Sequence, residues 1–138
     1  MIILDTNVIS ELFAKDPSTV VVEWVRHLPV HSVFTTTVTE AEILYGLRLL
    51  PEGRRRQQLE DTIQPVFSQD LAGRVLPFDR EAADIYARIA VARRKIGKPI
   101  SQFDAQIAAI AISHGASLAT RNVSDFEELP LHVINPWA

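Results

Sequence analysis

The chain has 138 residues, 47% hydrophobic and 22% charged, with 5 glycines and no cysteine. That is one domain's length with enough apolar material for a core, so residues 1–138 are expected to fold as a single domain. A disulfide scaffold, a thiolate metal site and a thiol nucleophile are excluded, and a net charge of −3 means that any nucleic acid must be met by a local basic patch.

Ile2, Ile3 and Leu4 read as a short buried strand ending at Asp5, Thr6 and Asn7, with Thr6 as the expected N-cap of a helix running to Phe13. Pro17, then Val21, Trp24, Val25 and Leu28 at helical spacing, predict a second helix stopping near Pro29. Val33 to Thr37 reads as a strand, Thr39 to Leu50 as a helix ended by Pro51, and Arg54 to Ser68 as a helix disturbed at Pro65. Val75 and Leu76 form a short apolar stretch. Asp79 then caps a long helix ended by Gly97 and Pro99, and Ser101 opens another that Gly115 stops. Ser117 to Ala119 and Val133 to Ile134 read as the last strands. Short strands alternating with longer helices predict an α/β domain with a mostly parallel sheet, whose ligands sit beyond the strand C-termini. Apolar runs break well before the roughly 18 residues of a membrane span. The opening MIILDTN carries no basic leader, which points to the cytoplasm.

Several acidic residues fall where such sites form. Asp5 follows a strand directly, and either caps the next helix or serves a site. Glu42 shares a helix stripe with Val38, Tyr45 and Leu49, and Glu40 shares one with Ile43, Leu44 and Leu47; periodicity does not choose between them. Asp104 stands three residues after Ser101, as in a capping-box variant, yet it also heads a stripe of Ile107, Ala108 and Ala111 that packs closely on the sheet. Asp125, in the polar segment after Ala119, has the simpler reading of a dipole-complementing residue in a turn boxed by Ser124 and Glu127. Carboxylates gathered at one sheet edge repel, and a hard divalent cation is their natural counter-ion; its bound water suits phosphodiester hydrolysis.

These segments carry a resemblance. LDTNVIS, TVTEAEILYG, FDAQIAAIA, ATRN followed by DF, and the INPW tail together are similar to PIN-domain ribonucleases of the VapC and FitB toxin type, over nearly the whole chain. The resemblance implies a PIN-like three-layer sandwich and a Mg²⁺-dependent (or Mn²⁺-dependent) endoribonuclease, the toxin of a toxin–antitoxin pair. Its metal ligands match Asp5, Glu42 and Asp104, which selects Glu42 over Glu40, with Thr6, Asn7 and Thr120 lining the pocket. Asn122 stands where many relatives carry a fourth acid, and with Asp125 it completes the expected lining. The resemblance further implies a homodimer and an antitoxin whose C-terminal region fills the acidic pocket. The alternative is a catalytically weak or inactive PIN-like module kept for antitoxin binding and regulation.

Two basic runs stand out, Arg48 to Arg56 and Arg88 to Lys98. Their ordinary role is a solvated helix face. Arg93, Arg94 and Lys95 are the candidates for RNA phosphates, and Arg121 beside the pocket is expected either to touch phosphate or, preferentially, to pair with a carboxylate. The four histidines show no zinc-ligand spacing, and Trp24 and Trp137 are expected as core or interface anchors.

Overall fold

The computed structural model describes residues 1–138. Five strands form one sheet: β1 (Ile2–Leu4), β2 (Val33–Thr36), β3 (Val75–Leu76), β4 (Ser117–Ala119) and β5 (Val133–Ile134). Their order is β3-β2-β1-β4-β5, and every neighbouring pair is parallel rather than mostly so. Parallel pairing demands crossovers, which the six helices supply: α1 (Thr6–Leu12), α2 (Thr19–Arg26), α3 (Thr37–Leu49), α4 (Arg54–Pro65), α5 (Arg80–Lys95) and α6 (Gln102–Ser113).

Side-chain alternation in the strands divides the core in two. Ile3 and Leu118 face a cluster with Ala82 and Ile89 of α5 and Ile107, Ala108 and Ala111 of α6. Leu4 and Ala119 face the other side, toward Val8 and Ile9 of α1, Val21 of α2 and Ile63 of α4. Helix α3 serves both, with Val38 in the first cluster and Ile43 and Leu47 in the second. The alanines of α6 leave no bulk between helix and sheet, so its backbone packs close and carries Asp104 at its first turn.

The caps refine the expectations. Asp5, not Thr6, is the N-cap of α1, and its carboxylate accepts the Thr6 amide. α3 begins at Thr37, two residues earlier than its sequence suggests, because Thr36 caps it through the Thr39 amide. After Pro65 the chain continues as a π-helical turn, Val66–Asp70, since proline has no amide to keep the α ladder regular. The Ser124–Glu127 box does not form: Val123–Phe126 is a 3₁₀ turn with no side-chain cap.

Strand order decides where a site lies. From β1 the chain steps outward to β2 and β3, then returns to lay β4 on β1's other edge. The crossovers therefore diverge between β1 and β4, opening a crevice beyond their C-terminal ends. The residues that follow those strands are Asp5 and Thr120.

Candidate active site

Asp5 is 3% exposed and Thr120 fully buried. The Asp5 Oδ1 atom accepts the Thr6 amide at 2.8 Å; Oδ2 accepts the Thr120 hydroxyl at 2.8 Å and the Asn7 side-chain amide at 3.3 Å. Asn7 also donates to Thr120 Oγ1 at 3.0 Å, and that oxygen accepts the Asn122 amide at 3.2 Å. The carboxylate is thus held at Oδ1 by a backbone amide and at Oδ2 by two short side chains.

Glu42 reaches the same place from α3, its Oε1 accepting the Thr6 hydroxyl at 2.8 Å. Thr39, fully buried one turn earlier, sets its own hydroxyl 3.1 Å from that of Thr6. Sequence reasoning missed Thr39; its signal was a threonine three residues before Glu42 in TVTEAEI, one helical turn away on the same side of α3. Both stripes are mixed: Ile43 and Leu47 are buried and Leu44 exposed on Glu40's, and Val38 is buried and Tyr45 and Leu49 exposed on Glu42's. Glu42 therefore lies at the half-buried rim of α3 and looks into open space between α3 and α6. Ala41, Glu42, Tyr45 and Phe103 line a cavity of about 610 Å³ there.

Asp104 sits half-buried in the first turn of α6, its amide donating to Ser101 Oγ at 3.2 Å. The capping-box reading is right for that bond, and it leaves the Asp104 carboxylate within the field of Asp5. Asp125 lies exposed on its 3₁₀ turn and acts on Asp104, and Asn122 beside it is exposed.

The charges of the cluster are coupled. Burial pushes Asp5 up to about 6, against the lowering bonds from Thr120 and Thr6, and the charges of Asp104 and Glu42 raise it further. Asp104 is raised too, chiefly by burial and then by Asp125, with the Ser101 hydroxyl opposing. No three acidic or histidine side chains are gathered closely enough to hold one ion as they stand, so the expected convergence is electrostatic rather than a closed cage. The donors nonetheless suit a hard cation in kind: they are all oxygens, one is buried and destabilised as an anion, and water completes such a shell when few carboxylates bind directly.

The basic candidates separate. Arg93 is 5% exposed, and its guanidinium donates to the carbonyls of Lys98, Asp125 and Glu127 at 2.7, 2.8 and 2.9 Å. It is therefore spent inside the protein and not open to phosphate, a correction to its expected role, while Arg94 and Lys95 are exposed. Arg121 makes none of the chain's ion pairs, contrary to the preferred expectation, and lies 5.2 Å from the centre of the Trp137 ring. Trp137 packs on the core as anticipated. The most apolar concavity, about 410 Å³ among Leu12, Phe13, Val25, Leu28, Val66 and Leu71, includes none of the clustered acids.

The model of the PIN domain matches residues 2–130. The VapC ribonuclease Y4jK of Sinorhizobium fredii is 41% identical over 137 residues, covering 99% of this chain and 98% of that protein. Toxin FitB of Neisseria gonorrhoeae is 40% identical over 141 residues, covering 99% of each. The crystal structure of FitAcB from Neisseria gonorrhoeae matches with a TM-score of 0.93 at 39% identity, covering 99% of both chains.

Proposed function

The chain belongs to the PIN-domain family, and from that premise we propose that it is the toxin of a toxin–antitoxin pair, an endoribonuclease that hydrolyses RNA with Mg²⁺ or Mn²⁺. The observation that carries this reading is Asp5 at the crevice between β1 and β4, pushed up to about 6 chiefly by its burial and then by the charges of Asp104 and Glu42. An anion held where it is least stable is a ligand in want of a cation.

Asp5, Glu42 and Asp104 would hold the ion, directly or through water, and it would supply an acidified water and neutralise charge on a phosphoryl oxygen. The other work falls to the chain. Thr120 and Asn7 fix the direction of the Asp5 carboxylate, and Thr6 joins it to Glu42 by donating its amide to one and its hydroxyl to the other. Ser101 holds the start of α6 and so sets Asp104.

Partners follow from the same reading: an RNA substrate, a cognate antitoxin and a second copy of the chain. Leu44, Tyr45, Leu49 and Phe103 are exposed beside the cleft, and an apolar face there suits a homodimer that brings two clefts near each other. No helix is long and apolar enough to cross a membrane, in keeping with a cytoplasmic enzyme. A second reading, a site kept only for antitoxin binding, has Asn122 in its favour, since that exposed amide stands in for a fourth carboxylate.

Cleavage assays on purified protein with structured and single-stranded RNA decide between them. The expected result is cleavage that stops on chelation, returns with Mg²⁺ or Mn²⁺, and is absent from Asp5→Asn and Asp104→Asn proteins of unchanged circular dichroism. Wild-type protein that leaves RNA intact at saturating metal would leave the binding-only reading in possession.

A further inference from the structure

Building on the ribonuclease reading, we propose that Arg121, laid over the ring of Trp137, is a docking point for an RNA phosphate at the rim of the acidic cleft.

Three observations carry it. The first is position. Arg121 follows Thr120, which donates to Asp5, and the Arg121 amide donates to Asn7 Oδ1 at 3.1 Å while the Asn7 side-chain amide donates to Asp5 and Thr120. The backbone of Arg121 is therefore tied into the network that orients the buried carboxylate, so its side chain starts at a fixed distance from the chemistry.

The second is availability. The other strongly engaged arginines are occupied: Arg93 and Arg74 give their N–H groups to carbonyl oxygens, and Arg56 pairs with Glu60. Arg121 is exposed, pairs with no carboxylate and sets its guanidinium carbon over an aromatic ring instead. A cation–π contact consumes no N–H donor, so the fork of the guanidinium stays available for two oxygens of one phosphate.

The third is preorganisation. Trp137 is anchored twice, by packing on the core and by its amide donating to Asn135 Oδ1 at 2.9 Å. An arginine held on a fixed ring loses less rotamer freedom on binding than one waving in solvent. A chain of net charge −3 with a carboxylate cleft repels a polyanion, so a cation fixed at the rim is what lets the backbone of RNA approach.

The test uses a fluorescein-labelled single-stranded RNA with full-length protein. Binding is measured across a salt series with Ca²⁺ in place of the catalytic ion, and cleavage with Mg²⁺ gives KM and kcat separately. Arg121→Gln is expected to weaken binding and raise KM about tenfold, to flatten the slope of log Kd against log salt by about 0.7, and to leave the melting temperature unchanged. Trp137→Phe retains most of the affinity; Trp137→Leu loses part of it, with the same flattening of slope. Wild-type cleavage with Arg121→Gln identical in KM and salt slope overturns the proposal and leaves the nuclease reading standing. So does a variant that loses only binding to an antitoxin peptide, which would make Arg121 a protein contact. Wild-type protein that neither binds nor cuts RNA removes the nuclease reading and this proposal with it.

Discussion

Thr6 donates its hydroxyl to Glu42 Oε1 at 2.8 Å across 36 positions of sequence, while its backbone amide donates to its neighbour Asp5, also at 2.8 Å. One residue thus spaces two carboxylates that repel. Glu42→Gln is expected to lower metal-dependent cleavage by two orders of magnitude or more, because it removes ligand charge, whereas Glu40→Gln, which makes no side-chain bond in the structure, stays within about threefold of wild type. Single-turnover cleavage by the two proteins checks the order; a reversed order would mean that the wrong glutamate faces the ion.

Asp5 sets a pH dependence whose sign is opposite to that of a salt-bridged acid. Its folded value, about 6, lies above the unfolded 3.8, so the folded state holds its proton longer. Stability from this residue is present below pH 4, falls as pH rises from 4 to 6, and is constant above. The shift corresponds to about 3 kcal/mol as an upper bound. Asp5→Asn keeps an acceptor for the Thr6 amide and lacks the buried charge, so its melting temperature is expected to exceed that of the wild type at pH 7 and to match it near pH 4. Thermal melts of the metal-free proteins across this range measure the crossing.

A cation should restore what the buried charge takes away. Mg²⁺ or Mn²⁺ is expected to raise the melting temperature of wild-type protein at pH 7, to do so much less at pH 5 where Asp5 is mostly protonated, and to leave Asp5→Asn unmoved. Because no three acids are gathered around one point, saturation should need a high ion concentration. A titration followed by differential scanning fluorimetry reads both effects.

Arg93 ties the end of α5 to the turn that carries Asp125. Arg93→Ala strands three carbonyls and is expected to cost about 2–5 kcal/mol in denaturant unfolding, with Arg93→Lys intermediate. Arg94→Gln and Lys95→Gln, both on the exposed face, should leave stability within about 0.5 kcal/mol. Urea melts of the four single variants separate the internal clamp from its solvated neighbours.

Much of this architecture is legible from periodicity and caps. Ser101, Asp79 and the glycine after His114 mark helix ends by local chemistry, and the five strands fall where short apolar runs do. Helix faces were less readable near the cleft. Glu42 lies on the stripe with the exposed Tyr45 and Leu49, so a rule that buried stripes carry sites would have chosen Glu40. Motif resemblance selects Glu42 instead, since it compares whole segments rather than one face, and the Thr6 bond to Glu42 is in keeping with that selection. What sequence could not supply was long-range pairing: Thr6 with Glu42, Arg121 with Trp137, and Arg93 with carbonyls more than thirty residues away. Each depends on strand order, and a basic run reads the same whether its guanidinium turns outward or in.

The outermost strands, β3 and β5, are two residues long each. Strands so short present almost no row of unpaired amides and carbonyls to a passing chain, which denies aggregation the template that a parallel sheet otherwise offers.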